Sequence, residues 1–321
     1  MYLRLLLALF PVLAAMADAH AQGVAPPLVP APALRWEGAE QLVLFDIAHA
    51  GKRLVAVGEM GVVVLSDDDG KTFRQARSVP VDGSLNAVCF VDEKRGWAVG
   101  HWGLILATQD GGETWVQQRV DTAVDQPLFS VVFRDASEGW AVGLWSIVLH
   151  TSDGGQHWET QKVAPPKGAK KADRNLFKVF LDRSGTLYVA AEQGNVLRSR
   201  DGGATWDYLY TGYAGSFWTG LAASDGTLFV GGLRGNLYRS TDNGKTWTVV
   251  PTGTKSSITA LIEVSGKLVG VGLDGLAFSG ALADKEYASE QLSGRAALTA
   301  VTAGAAGQWV MSSKSGIVLR Q

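Results

Sequence analysis

Short apolar runs alternate along this chain with glycine-rich polar turns. A typical unit has an apolar run at residues 97–100, a turn at 101–103 and a second apolar run at 104–107. Runs this short, bounded by glycine and rich in valine and aromatic residues, predict β-strands rather than helices. The pattern therefore predicts an all-β chain of many short strands.

A motif of the form Ser/Thr-x-Asp-x-Gly-x-x-aromatic follows the second apolar run of each unit. Five copies occupy residues 66–73, 108–115, 151–158, 199–206 and 240–247. Their aromatic ends lie 41 to 48 residues apart, a period typical of β-propeller blades. A third run lies upstream of each pair, as at residues 128–132. Each unit is therefore predicted to be one blade of four antiparallel strands.

The residue types of this motif, called the box below, suit a tight turn. Its aspartate can accept hydrogen bonds from backbone N–H groups of the turn, and its second glycine can take a positive φ. The aromatic side chain can then fold back over the turn. We interpret these box residues as structural: Asp68, Asp110, Asp153, Asp201, Asp242, Trp115, Trp158, Trp206 and Trp247.

Two units with decayed boxes follow the five good ones, at residues 258–292 and from residue 298 onward. The last unit has no outermost strand of its own. Residues 34–38 fit that gap, with Trp36 in the role of the box aromatic, and such closure would cover an exposed sheet edge. The sequence thus predicts one seven-bladed β-propeller of four-stranded antiparallel blades over residues 34–321, closed by an N-terminal strand.

The start of the chain has the composition of a secretory signal peptide. Arg4 supplies positive charge, an apolar stretch runs to about Met16, and the small residues Ala19 and Ala21 fit a cleavage site. We expect residues 1–21 to be removed, residues 22–33 to form a proline-rich leader, and the protein to reach the periplasm. The apolar stretch is shorter than the ~20 residues of a membrane span, so we expect no membrane insertion of the mature chain.

Charge and cysteine content exclude several classes of function. The net charge of −2 is unlike the basic excess of nucleic-acid-binding proteins. Cys89, the one cysteine, lies in an apolar run and is interpreted as a small buried side chain. The five histidines show no metal-ligand spacing, and no glycine-rich loop joins a strand to a helix. We therefore predict no metal, no cofactor and no nucleic-acid partner.

Two paired motifs carry a resemblance to a known family. The run GWAVG at residues 96–100 precedes the box at 108–115, and the same pairing returns between Gly139 and Trp158. The boxes are similar to those of the Asp-box, or bacterial neuraminidase repeat, superfamily, and the chain most resembles the photosystem II assembly and stability factors. That resemblance implies a non-catalytic, chaperone-like platform of photosynthesis. It would bind a protein subunit of a membrane or envelope complex, and we expect a monomer.

One face of the propeller is the predicted partner-binding face. In this fold the turns between the second and third strands of each blade share a face with the connections between blades. Aromatic side chains beside cations are typical of a protein-binding patch. The candidate residues are Trp102, Trp145, Tyr210, Tyr213, Trp218, Arg234, Lys170, Lys171 and Arg174. The alternative left open is that these aromatic residues fill the ends of the blades.

Two other functions stay open. The fold could serve as a carbohydrate-binding propeller, because Trp102 and Trp145 suit stacking on a sugar ring. A sialidase-like glycoside hydrolase would need an arginine cluster, a tyrosine nucleophile with a glutamate helper, and a carboxylic acid. Since Arg35 and Arg53 are the only arginines between the predicted cleavage site and Asp68, the sequence disfavours the hydrolase.

Overall fold

The computed structural model describes residues 31–320, which form seven antiparallel β-sheets arranged around a central channel. The first strand of each sheet contacts the first strand of the next, and the ring closes between the first and seventh sheets. Within each sheet, strand order follows chain order from the channel outward. The predicted seven-bladed β-propeller is confirmed.

The strands of each blade run from the channel to the rim. Blades one to three contain β1 (Leu44–Ala50), β2 (Arg53–Gly58), β3 (Val63–Ser66), β4 (Arg74–Gln75), β5 (Leu85–Phe90), β6 (Gly96–Gly100), β7 (Ile105–Thr108), β8 (Val116–Arg119), β9 (Leu128–Phe133), β10 (Gly139–Gly143), β11 (Val148–Thr151) and β12 (Glu159–Thr160). Blades four to seven contain β13 (Leu176–Leu181), β14 (Leu187–Ala191), β15 (Asn195–Ser199), β16 (Asp207–Tyr210), β17 (Phe217–Ala222), β18 (Leu228–Gly232), β19 (Leu237–Ser240), β20 (Thr248–Val249), β21 (Ile258–Val264), β22 (Lys267–Gly272), β23 (Leu276–Ala281), β24 (Ser289–Gln291), β25 (Leu298–Ala303), β26 (Trp309–Ser313) and β27 (Gly316–Arg320). Short 3-10 turns occupy Ala39–Gln41, Glu59–Gly61, His101–Gly103, Leu144–Ser146, Leu233–Gly235 and Leu273–Gly275.

The second strand of each blade is the core of the fold. Every residue of β6, β10, β14 and β18 is buried, because these strands have a neighbour on each side and a blade against each face. Strands covered on both faces are apolar without alternation. This explains why the sequence repeats GWAVG instead of an apolar–polar pattern.

The boxes form the turns between third and fourth strands, on the opposite face from the candidate site. In blade four, Asp201 accepts hydrogen bonds from the hydroxyl of Ser199 (2.8 Å) and from the N–H and hydroxyl of Thr205 (2.9 and 2.6 Å). The Ser199 oxygen accepts the N–H of Gly203 at 2.8 Å. The same network recurs at Asp68, Asp110, Asp153 and Asp242. The aspartate acceptors are therefore used within the turn.

These networks predict loss of stability in acid. Hydrogen bonds from the neighbouring threonine lower the pKa of Asp68, Asp201 and Asp242 from 3.8 to about 2. Because the folded-state pKa is depressed, the stabilisation is complete above pH 4 and is lost as the pH falls through about 2. We expect the melting temperature to drop between pH 4 and pH 2. An Asp201→Asn variant should have a lower melting temperature at pH 6 and a smaller further drop between pH 4 and pH 2. A drop as large as that of the unchanged protein would contradict this assignment.

Tryptophans of the second strands join neighbouring blades. The Nε1–H of Trp97 in β6 donates to the carbonyl of Gly154 at 3.1 Å, and that of Trp140 in β10 donates to the carbonyl of Gly202 at 2.8 Å. Gly154 and Gly202 are the first glycines of the boxes of the following blades. Each indole thus packs in the core and also fixes the next box turn.

The described residues do not show the predicted closure by an N-terminal strand, although the turn at Ala39–Gln41 contacts β27. Residues 34–36 lie outside the strands and along the outer edge of blade one: Trp36 N–H donates to Gln75 Oε1 at 3.0 Å, and Gln75 Nε2 donates to the carbonyl of Leu34 at 2.7 Å. Among the described residues, blade seven has three strands. The side chain of Gln75 holds the segment on blade one, and Trp36 stays 39% exposed instead of covering a turn.

The ring closes through direct contacts between blades one and seven. Asp69 accepts hydrogen bonds from the N–H of Ala305 (2.7 Å) and from Nε2 of Gln308 (2.6 Å). The hydroxyl of Thr299 donates to the carbonyl of Leu44 at 2.7 Å. Closure therefore uses the first box and the inner strands.

The predicted signal peptide and most of the leader lie outside the described residues. Within residues 31–320, no helix has the length and apolar character needed to cross a membrane.

Candidate partner-binding face

The turns between second and third strands share a strained backbone conformation. The middle residue of six of these turns has a positive φ between 50° and 63°, and none of the six is glycine. Non-glycine residues held in this region cost about 1–3 kcal/mol each and cluster at functional sites. The six residues are Met60, Trp102, Trp145, Gln193, Arg234 and Asp274. The turns therefore present these six side chains on one face of the ring.

The turn of blade three is tied to the start of blade four. Ser146 N–H donates to the carbonyl of Arg174 at 2.7 Å, and Trp145 N–H donates to Asn175 Oδ1 at 3.2 Å. The amide of Asn175 in turn donates to Glu192 Oε1 at 2.9 Å. These bonds hold Trp145 beside the junction of blades three and four, with 56% of its surface exposed.

An open cleft of about 670 Å³ lies at this junction. The loop between the blades lines one side with Pro166, Lys167 and Arg174, and blade four lines the other with Asn195 and Tyr210. Tyr210 is 62% exposed although it lies on a strand. Two large aromatic side chains, Trp145 and Tyr210, therefore lie exposed in the same region as the cleft.

The loop beside the cleft is cationic. Lys167, Lys170 and Lys171 are exposed to solvent, and Arg174 is half-buried in an ion pair with Asp173 at 2.8 Å. The Nε of Arg174 is buried without an acceptor in the described part of the chain. The surroundings of the cleft therefore carry more positive than negative charge and one unused donor.

Tyr213 is held within the blades. Its hydroxyl donates to the carbonyl of Leu233 at 3.1 Å and accepts from Asn236 Nδ2 at 3.2 Å. Its ring packs against Phe217 and Tyr238, with centroids 5.4 and 5.8 Å away. Tyr213 thus fills a blade end, which is the alternative that the sequence left open for the aromatic residues of this face.

The other three predicted residues lie on the same face but apart from the cleft. Trp102 is half-buried at the tip of blade two, edge-on to His101 with ring centroids 6.2 Å apart. Trp218 lines the mouth of the central channel. Arg234 is exposed at the tip of blade five. Of the predicted residues, Tyr210 and Arg174 line the cleft and the tip that carries Trp145 is bonded to Arg174 and Asn175, whereas Trp102, Trp218 and Arg234 do not line it.

Sequence reasoning did not select Lys167, Gln193 or Asn195, which also line the cleft. Lys167 belongs to the same lysine-rich loop as Lys170, so its charge was visible in the sequence. Gln193 occupies the tip equivalent to Trp145, and its place in the repeat could have identified it.

The described residues show the surroundings of the Cys89 thiol and of the possible metal ligands. Burial raises the pKa of the Cys89 thiol to about 12, so the thiol stays protonated and unreactive at neutral pH. No cluster of three or more histidine, cysteine, aspartate or glutamate residues between positions 31 and 320 could hold a metal ion.

Seven blades of three or four strands, five of them with box turns, define the class of Asp-box β-propellers. The family model "Photosynthesis system II assembly factor YCF48" matches residues 74–218, and the model "BNR/Asp-box repeat" matches residues 238–249. The resemblance to the photosystem II assembly factors is thereby confirmed. No curated protein matches this sequence significantly.

Solved structures share the fold at low identity. YCF48 bound to D1 peptide has a TM-score of 0.71 and 17% identity, covering 90% of this chain and 98% of that one. YCF48 from Cyanidioschyzon merolae has a TM-score of 0.69 and 15% identity over 87% and 95%. Virginiamycin B lyase from Staphylococcus aureus has a TM-score of 0.72 and 12% identity over 89% and 97%. Identities this low show the propeller fold alone, which binding proteins and a lyase share.

Proposed function

We propose that this protein is a non-catalytic platform that binds an extended segment of a protein partner at the junction of blades three and four. The observation that carries the proposal is the pair of exposed aromatic side chains, Trp145 and Tyr210, in the region of an open cleft of about 670 Å³. Large exposed aromatic residues in concave surroundings are the usual anchors of protein interfaces. A solved relative of the fold is YCF48 bound to D1 peptide, which supports a peptide as the ligand.

The cations near the cleft suggest the charge of the bound segment. Lys167, Lys170 and Lys171 are exposed on the loop beside the cleft, and Arg174 lines the cleft. Complementary charge steers encounter and selects partners more than it adds affinity. We therefore propose a segment with acidic residues beside an apolar or aromatic anchor.

The cellular role proposed is assistance in assembly or stability of a membrane or envelope complex. The family match over residues 74–218 supports it, and the signal-peptide composition of residues 1–21 supports action in the periplasm. The partner is proposed to be a subunit of that complex, and the protein is proposed to act as a monomer. Photosystem II itself is one candidate complex.

Replacing Trp145 by glycine tests the site. Because Trp145 is exposed and has a φ of 53°, glycine relieves strain there and should leave the melting temperature equal or higher. Loss of an aromatic anchor should weaken partner capture by about tenfold or more. The measurement is crosslinking and affinity capture of the tagged mature chain from the native envelope, with quantitative mass spectrometry.

Met60→Gly is the matched control, since Met60 occupies the equivalent tip of blade one with a φ of 53°, is exposed and does not line the cleft. The control should capture partners as the unchanged protein does. If Trp145→Gly and Tyr210→Ala both capture the same membrane subunit at the unchanged level, the proposed site is wrong.

A carbohydrate is the second candidate ligand, favoured by the single exposed indole of Trp145 at a turn tip. A glycan array separates the two candidates: binding of a glycan, lost in Trp145→Gly, would replace the peptide by a sugar.

The proposed absence of catalysis is supported by the positions of the arginines. Arg53 and Arg74 lie away from the channel and pair with Asp67 and Glu113 at 2.5 to 3.2 Å. Their guanidinium groups are thus engaged by carboxylates of this chain, whereas a sialidase-like site would aim them at the carboxylate of a substrate. Hydrolysis of a fluorogenic sialoside would contradict this part of the proposal.

A further inference from the structure

The central channel contains a cavity of about 210 Å³ lined by the inner strands of the blades. Each inner strand skips one residue near its start in its pairing with the second strand. Such a bulge re-aims the side chain of the skipped residue. The seven skipped residues form a ring at the mouth of the channel: Phe45, Asn86, Phe129, Phe177, Trp218, Thr259 and Thr299.

The polar members of this ring are already hydrogen-bonded between blades. Asn86 Nδ2 donates to the carbonyl of Leu128 at 2.8 Å, and Thr259 Oγ1 donates to the carbonyl of Leu298 at 2.9 Å. Thr299 donates to Leu44 in the same way. The aromatic members come from blades one, three, four and five, and two of these rings, on β9 and β13, stack with centroids 5.6 Å apart. The mouth therefore combines four aromatic side chains with three polar ones whose side chains already donate between blades.

Two opposite charges lie one residue past the bulge, Asp46 on β1 and Lys178 on β13. Asp46 accepts the N–H groups of Ile47 at 2.9 Å and Val88 at 3.0 Å. Each carboxylate oxygen can accept a second hydrogen bond, so Asp46 keeps acceptor capacity. Within residues 31–320, the Lys178 ammonium takes part in no hydrogen bond or ion pair, with Asp46 or any other residue.

No other charged residue of the described chain lines the cavity. Burial raises the pKa of Asp46 and the charge of Lys178 opposes that shift. Lys178 is partly buried and lines the cavity, so its ammonium group is available to an anionic group of a ligand. The cavity thus offers one unused cation, one carboxylate with spare acceptors, and four aromatic side chains at its mouth.

We infer that the channel binds a small α-amino acid with an apolar side chain, its carboxylate on Lys178, its ammonium on Asp46 and its side chain against the aromatic side chains of the mouth. The neutral sum of the two wall charges matches the neutral sum of a zwitterion. The cavity of 210 Å³ has the volume of about seven water molecules. It is smaller than the roughly 300–1,000 Å³ of a site for a drug-sized ligand, which agrees with a single amino acid.

Three probes test the inference on the unchanged protein by isothermal titration calorimetry. They are L-leucine, 4-methylpentanoate (leucine without its amino group) and 3-methylbutylamine (leucine without its carboxylate). Leucine should bind, and each analogue should bind at least about tenfold more weakly because one charge contact is lost. Absence of leucine binding up to about 10 mM, or equal binding of either analogue, would overturn the inference.

Variants then assign the contacts. Lys178→Met should abolish leucine binding, and Asp46→Asn should reduce the advantage of leucine over 4-methylpentanoate. Lys52→Met, at an exposed lysine in the turn between β1 and β2 that does not line the cavity, is the matched control and should bind leucine unchanged. Leucine binding that survives Lys178→Met would overturn the assignment. Partner capture measured on Lys178→Met reports separately on the proposed face, so the two proposals fail independently.

Discussion

Replacing Trp140 by alanine is expected to lower the free energy of unfolding by about 3–5 kcal/mol. The Trp140 side chain is wholly buried and belongs to a core cluster with Val189, Leu197 and Trp206. Its removal loses that burial, leaves a cavity between blades three and four, and deprives the Gly202 carbonyl of its donor. The measurement is the urea midpoint of unfolding followed by far-UV circular dichroism.

Trp140→Phe separates packing from the hydrogen bond. Phenylalanine keeps much of the ring volume but cannot donate to Gly202, so it should cost about 1–3 kcal/mol. Trp97→Ala, at the equivalent position of blade two with the equivalent bond to Gly154, should behave like Trp140→Ala. Equal losses for the alanine and phenylalanine variants would show that the hydrogen bond dominates, against this prediction.

The blades were predictable because their signals are local. A box such as residues 199–206 closes its own turn through Asp201 and Ser199, so its residues can be recognised without knowing the rest of the fold. The buried second strands are likewise visible as GWAVG runs. Repetition of these units along the chain then leads to seven blades.

The closure was not predictable in detail because it depends on distant partners. Residues 34–36 contain one tryptophan and no box, so a role on blade seven and a place on blade one are equally compatible with the local sequence. The side chain of Gln75 decides between them by bonding to both Trp36 and Leu34. That hydrogen bonding between segments about forty residues apart has no signature in a local pattern.

The candidate site likewise combines features that the local sequence reveals with features that depend on packing against distant residues. The repeat reveals the place of Trp145 at a turn tip but not its exposure, since Trp102 at the equivalent tip is half-buried. Tyr210 and Tyr213 are three residues apart in one segment, yet Tyr210 is exposed and Tyr213 is bonded to Leu233. The difference in exposure between the two side chains depends on how blade five packs against blade four. The positive φ of Trp145 was also hidden, since a tryptophan gives no hint of a left-handed backbone.

Gly203→Ala is expected to lower the free energy of unfolding by about 2–6 kcal/mol, the sum of backbone strain and overpacking. Gly203 has a φ of 93°, where a Cβ atom is strained. That Cβ would also lie 3.1 Å from Nε1 and 3.4 Å from Cδ1 of Trp140, an indole that the buried core holds in place. The measurement is again the urea midpoint.

Gly226→Ala isolates the backbone cost. Gly226 has a similar φ of 88°, but a Cβ there would meet no atom within 4 Å, so this variant should lose about 1–3 kcal/mol. In the double variant Trp140→Ala/Gly203→Ala the clash disappears, because the indole that the new methyl would strike is gone. The decreases in free energy of unfolding of the two single variants should therefore sum to more than the decrease of the double variant. Strict additivity, or equal losses for Gly203→Ala and Gly226→Ala, would mean that the box glycine is required for its φ alone and not for the approach of Trp140 from the neighbouring blade.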